Sequence, residues 1–127
     1  MFALGDPLVV VTTGGGGDGY FVMRNYVNML ESAAKPLPFK SVLITGPFMP
    51  KNKRRKIFKR ARKMGVRGYH FYRQMEKIFA AGDLVVCMGG YNTLCEILNQ
   101  GTPSLVIPRE TPRKEQLIRA QAFKRHN

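Results

Sequence analysis

At 127 residues the chain has room for one domain and not for two, since single domains cluster near ~100–150 residues. Its 44% hydrophobic and 23% charged residues exclude a disordered tail; no apolar run approaches the ~18 residues of a membrane span, and the opening MFALGDPLVVV lacks the pattern of a secretion signal, so a cytosolic location is expected. Lys and Arg number 21 against 8 Asp and Glu, and the resulting +13 makes phosphate ligands, nucleic acid and anionic lipid attractive partners.

Leu8 to Thr13 (LVVVTT) is too short and too β-branched for a helix and ends in glycines, so it reads as a buried first strand. After Gly14 to Gly19, Met23, Tyr26, Val27 and Leu30 recur at i, i+3, i+4 and i+7, which predicts a helix running toward Lys35-Pro36. Ser41 to Thr45 is a second strand, broken by Gly46-Pro47. Asn52 to Met64 follows as a helix with Ile57, Phe58, Ala61 and Met64 on one side. Val66 to Tyr72 is a third, less regular strand, and Arg73 to Ala81 a short helix ended by Gly82. Asp83 to Met88 forms the fourth strand, Thr93 to Asn99 a helix closed by Gly101, and Pro103 to Ile107 the fifth strand, with a last helix from about Lys114. Such alternation predicts an α/β fold, a Rossmann-like open and mostly parallel sheet with helices on both faces. Ligands of such sheets bind outside the strands' carboxyl ends.

Two motifs fall at those ends. Gly14, Gly16 and Gly19 in TTGGGGDGY satisfy G-x-G-x-x-G between a strand and a helix, where backbone amides can approach a phosphate. A plain flexible loop is the alternative. Asp18 would repel a diphosphate, so it is expected to cap the following helix. The second strand ends Ile44-Thr45-Gly46-Pro47, without the acid that holds a dinucleotide ribose, and no Lys-Ser/Thr ending marks a Walker loop. In DLVVCMGGYNTLCEIL, Gly89-Gly90 ends a strand, and Asn92 or Thr93 is expected to cap a helix whose exposed amides form a second anion site. Glu96, three residues beyond Thr93, closes a capping box on one reading and accepts two ribose hydroxyls on the other.

Asp83 to Ala120, with Gly89-Gly90-x-x-Thr93-x-x-Glu96, Gly101-x-Pro103, Ile107-Pro108, Glu115-Gln116 and Ala120, resembles the C-terminal domain of GT-B glycosyltransferases, within the family 28 group that includes the peptidoglycan N-acetylglucosaminyltransferase. With the first glycine loop in register, the likeness covers nearly the whole chain. The resemblance implies that residues 1–127 form a donor-binding domain for a nucleotide diphosphate sugar, a UDP-sugar above all, whose N-terminal acceptor domain lies outside this chain. It maps diphosphate contacts onto Gly15, Gly16, Gly17 and Asp18, of which Asp18 gives way to the Gly19 amide because its carboxylate would repel the ligand, and onto the helix start at Gly90, Tyr91, Asn92 and Thr93. Tyr72 would meet the base through its backbone, Glu96 the ribose, and Glu115 and Gln116 the donor sugar. No catalytic residue, metal or cofactor is expected on this chain, and no Asp-x-Asp metal motif occurs in it. Tyr91 stands where a small residue is common, and Glu-Gln where Gln-Gln or Asp-Gln is familiar, so the donor sugar stays open.

KNKRRKIFKRARK, Lys51 to Lys63, places nine basic residues on one helix. It reads either as a solvated face or as a surface for an anionic membrane, with nucleic acid the less expected partner. Cys87 and Cys95 are expected as buried thiols, and His70 and His126 lack partners for catalysis. Phe48, Phe71 and Tyr72 fit base stacking, although aromatics beside strand ends are more often core. Two other classes compete with sugar transfer: a sugar-nucleotide epimerase or hydrolase of the same architecture, and a basic nucleic-acid-binding module.

Overall fold

Strands and helices alternate from end to end in the computed structural model, which describes residues 6–108 and 115–126. The elements are β1 (Leu8–Thr12), α1 (Tyr20–Ser32), β2 (Lys40–Ile44), α2 (Lys51–Lys63), β3 (Arg67–Tyr69), α3 (Met75–Ala81), β4 (Leu84–Cys87), α4 (Tyr91–Gln100), β5 (Ser104–Val106) and α5 (Glu115–His126). The strands form one sheet in the order β3-β2-β1-β4-β5 with every pairing parallel. The expected Rossmann-like α/β architecture is therefore present, and the sheet is wholly parallel.

β1 lies at the centre, with Val9–Thr12 paired to Leu84–Cys87 on one side and Leu8–Thr12 to Lys40–Ile44 on the other. Alternate residues face opposite layers. Val10, Val42, Val85 and Cys87 pack with Ile78 and Phe79 of α3 and Leu94 and Ile97 of α4. Val11, Leu43 and Val86 pack with Met23, Val27 and Leu30 of α1 and Ile57 and Ala61 of α2. Both faces are covered, which is why the strands read as continuous apolar runs and not as alternating ones. Full burial of each such Val, Leu or Ile side chain stabilises by roughly 1.5–3 kcal/mol.

Local boundaries depart from expectation where tertiary contacts decide them. β3 is three residues long, not the seven of Val66 to Tyr72, because it is an edge strand whose register pairs Val42 with Arg67 and Ile44 with Tyr69, after which β2 ends. Helix α1 starts at Tyr20 with Gly19 as its N-cap, so Asp18 stands one residue outside the cap position assigned to it. Helix α4 starts at Tyr91 with Gly90 as N-cap, which puts Asn92 and Thr93 inside the first turn and not at the cap. With Gly90 as the cap, Thr93 and Glu96 are not placed as a capping box. Gly101 does close α4, in the left-handed conformation at φ 66°.

Cys87 is buried as expected, but Cys95 is only half-buried. The aromatic residues expected in the core divide. Tyr72 packs against it, whereas Phe48 and Phe71 stand 75% and 61% exposed on the loops that follow β2 and β3. No helix among the described residues is long and apolar enough to cross a membrane.

Candidate nucleotide-diphosphate site

From β1 the chain winds outward through β2 and β3, then returns to place β4 and β5 on the other side. The direction of winding therefore reverses between β1 and β4, and the crevice outside their carboxyl ends is where open parallel sheets hold ligands. Both glycine loops emerge there, one from each strand. Each leads into a helix whose N-cap is a glycine, with no side-chain cap hydrogen bond and no acid in the first turn. The first amides of α1 and α4 thus open from glycine caps at the ends of two adjacent strands, and the helix dipoles add attraction for an anion. The loops lie close together: Thr93 Oγ1 is 4.0 Å from where a Cβ on Gly14 would stand and 3.9 Å from the same point on Gly90.

A third loop, after β2, braces the first one, which the sequence did not show. Gly16 has φ +93° and Gly46 φ +88°, and the two backbones meet with no space for side chains. A Cβ on Gly16 would stand 2.3 Å from the Thr45 carbonyl oxygen, and one on Gly46 would stand 2.2 Å from that of Gly14. Hydrogen bonds fix the contact. Phe48 N–H donates to the Gly15 carbonyl at 2.7 Å, Gly16 N–H to the Thr13 carbonyl at 3.2 Å, and the buried Thr13 hydroxyl to the Thr45 carbonyl at 2.9 Å. Gly19 closes on Thr13 just as tightly. Gly16 and Gly19 are consequently buried supports, while Gly14, Gly15 and Gly17 are exposed.

Tyr72 and Glu96 lie on the side of the sheet covered by α3 and α4. The Tyr72 ring packs edge-on to Tyr69, with centroids 5.4 Å apart. Glu96, on the second turn of α4, is half-buried, and its carboxyl is held above its ordinary pKa, first by burial and then by the Glu76 carboxylate at the start of α3. That is an electrostatic cost the free protein bears and a hydroxyl donor would relieve. Glu115 and Gln116 open α5, but their side chains lie outside the described residues.

Arg119 is a further member of the site that the sequence did not mark. Its guanidinium donates to the Gly89 carbonyl at 2.5 Å and lies 5.9 Å from the centroid of the exposed Tyr91 ring. It ties α5, the helix that begins with Glu115 and Gln116, to the second glycine loop. Its position one turn beyond that pair was the available signal. His70 sits on the surface, with Nε2 3.4 Å from the Pro47 carbonyl, and the His126 side chain lies outside the described residues. Burial pushes the Cys87 thiol up to about 12, so it supplies no thiolate at neutral pH. No group of three or more His, Cys, Asp or Glu converges as metal ligands among the described residues.

Comparison with known proteins agrees with this geometry. A family model described as the glycosyltransferase family 28 C-terminal domain matches residues 4–127. Three curated relatives carry the name UDP-N-acetylglucosamine--N-acetylmuramyl-(pentapeptide) pyrophosphoryl-undecaprenol N-acetylglucosamine transferase. The protein from Caldanaerobacter subterraneus subsp. tengcongensis is 28% identical over 113 residues, 84% of this chain and 29% of the relative. Those from Oceanobacillus iheyensis and Lachnospira eligens are 41% identical over 56 residues and 36% over 55, each match covering 42% of this chain and 16% of the relative. The chain therefore spans less than a third of the length of the relatives it matches. A parallel sheet with two glycine loops at its point of reversal, matched by the family model over almost its full length, places this chain in the family of glycosyltransferase family 28 C-terminal domains.

Proposed function

We propose that this chain binds the donor, a uridine diphosphate sugar, for a glycosyltransferase whose acceptor domain is N-terminal to it. The observation that carries the reading is the pair of glycine-capped helix N-termini at the ends of β1 and β4. A diphosphate between them would receive amides of Gly15 and Gly17 from one side and of Tyr91, Asn92 and Thr93 from the other, with Gly16, Gly19 and Gly90 shaping the loops. Because Tyr72 and Glu96 lie on the α3 and α4 side, the nucleoside would run that way, its base at the Tyr72 backbone and its ribose at Glu96. Glu115 and Gln116 would read sugar hydroxyls.

Transfer replaces the bond from the anomeric carbon to the diphosphate oxygen with one to an acceptor oxygen, whose proton goes to a base outside this chain. What this domain contributes is stabilisation of the departing diphosphate. Preorganised donors of this kind are each worth about 10²–10³ in rate elsewhere, and the two helix ends supply them without a metal or other cofactor. The acceptor named for the relatives is lipid-linked, and a comparable acceptor is the expectation here.

Uridine diphosphate should raise the melting temperature, because a ligand at a hundred times its Kd stabilises by about 2.7 kcal/mol. Adenosine diphosphate at the same concentration should shift it less. Equal shifts in differential scanning fluorimetry would remove the uridine assignment, and no shift from either would remove the site. Since recognition at Tyr72 is through the backbone, Tyr72→Phe should leave uridine diphosphate affinity within roughly threefold of wild type. A tenfold loss by calorimetry would assign the base contact to the phenol instead.

A further inference from the structure

Helix α2 carries nine Lys and Arg in its thirteen residues and no acid. Its contribution to the core is narrow, with Ile57 and Ala61 buried and the half-buried Phe58 laid on Gly68 of β3. Lys51, Arg55, Lys56, Lys59, Arg62 and Lys63 are all exposed. At 100° per residue they occupy one arc of roughly 140° along a helix about 20 Å long. The fold uses little of this charge: among the described residues Arg60 is ion-paired with Glu31 of α1, Lys63 adds attraction to the same carboxylate, and Lys53 lies 5.3 Å from the centroid of the Tyr20 ring.

The arrangement also works against the helix itself. Lys51 and Arg55, Arg55 and Lys59, and Lys59 and Lys63 are like charges four residues apart, each pair mildly destabilising. Lys51 and Lys53 add positive charge at the helix N-terminus, where the dipole disfavours it. Mixed charges would solvate the same face without this repulsion. A helix that concentrates unpaired cations on its outer surface is therefore matched to a polyanion. The arc carries no aromatic side chain on which a nucleic-acid base could stack, so it reads charge alone, along a straight convex line.

We propose that the outer face of α2 docks the protein on an anionic lipid bilayer. As the crossover between parallel β2 and β3, α2 runs antiparallel to the strands. Because Ile57 and Ala61 face the sheet from the opposite side of the helix, a protein lying on this arc would hold its sheet roughly parallel to the lipid and open the crevice between β1 and β4 along the membrane surface. This goes beyond the donor-binding reading and does not depend on it, because adsorption requires no nucleotide.

The test is co-sedimentation of the 127-residue chain with vesicles of phosphatidylglycerol and phosphatidylcholine in equal parts, against phosphatidylcholine alone. Binding to the anionic vesicles should exceed that to neutral ones and weaken as salt is raised from about 0.05 M to 0.5 M. Each basic residue near an anionic surface contributes roughly a fivefold factor. A variant with Arg55→Ser, Lys56→Ser, Lys59→Ser and Lys63→Ser should therefore lose on the order of several hundredfold in partitioning, with the fold retained in a cooperative thermal melt. Exchanging the same positions between Lys and Arg should preserve binding. Equal binding to neutral vesicles, no binding by wild type, or full binding by the serine variant would overturn the proposal. So would tighter binding of wild type to polyuridylate RNA than to the anionic vesicles at the same salt.

Discussion

Gly16→Ala is expected to lower the melting temperature by on the order of 10–20 °C. Gly16 holds φ +93° with the Thr45 carbonyl oxygen 2.3 Å, the Met49 nitrogen 3.0 Å and the Gly46 oxygen 3.2 Å from a prospective Cβ. All three atoms are backbone, so no side chain can rotate away. Left-handed backbone costs an L residue roughly 1–2 kcal/mol, and forcing a methyl into packed backbone costs typically 1–3 more. A total of about 2–5 kcal/mol is a large part of the ~5–15 kcal/mol that stabilises a domain, and each kcal/mol moves a domain of this size by a few degrees. Gly17→Ala is the control. Nothing lies within 4 Å of a Cβ there, so its melting temperature should match wild type even if ligand affinity changes. A Gly16→Ala protein melting within about 3 °C of wild type would show that the loops after β1 and β2 are not locked together.

That lock marks the boundary of what the sequence made legible. Val9 to Thr12 and Leu84 to Cys87 read as strands because both of their faces are covered, and the resulting apolar runs survive as a local pattern. The two glycine loops were legible for a similar reason, since each follows such a run directly and precedes a helix. The partnership of Gly16 with Gly46 joins residues 30 apart through backbone atoms alone. Backbone contact leaves no mark in side-chain chemistry beyond the two glycines, and each of those fits its own turn without the other.

The helix starts show the same division. Asn92 is a better N-cap than Gly90 by intrinsic preference, yet Gly90 holds the cap and the Thr93 hydroxyl lies near Gly14 in the first loop. Preference within one segment yields here to the approach of two loops from neighbouring strands. Phe48, which fits either base stacking or the core by sequence, stands outside the core for a related reason: its amide is bonded to Gly15 and its ring lies over that loop. Arg119 reaches Gly89 across the chain from α5, a contact that no periodicity of α5 could announce.

Glu96→Gln is expected to weaken uridine diphosphate binding by roughly ten- to hundredfold while leaving the free protein as stable as before, or more so, at neutral pH. A carboxylate accepting both ribose hydroxyls makes charge-assisted bonds worth on the order of 1.5–3 kcal/mol each. Gln keeps the size and one acceptor but loses the charge, and ~1.4 kcal/mol is a factor of ten. The stability term has the opposite sign. Burial and the Glu76 carboxylate raise the Glu96 pKa in the folded protein, so the fold favours the protonated acid. That contribution is fully present below the ordinary glutamate value of about 4.3 and is lost as pH rises through the raised one. At neutral pH the ionised Glu96 therefore costs the free protein stability, and Gln removes that cost. The advantage of the variant should vanish in melts taken below about pH 4, where wild-type Glu96 is already neutral. Ligand binding should show the converse, with wild-type affinity falling toward that of the variant as acid titrates the carboxylate. The capping box predicts another outcome, a stability loss near ~1 kcal/mol with affinity intact, and Gly90 at the cap position already argues against it. Calorimetric titration of both proteins with uridine diphosphate and its 2′-deoxy analogue separates the two roles. An analogue bound by wild type as tightly as the ribonucleotide, or an unchanged Kd for the variant, would leave the ribose without its partner at Glu96.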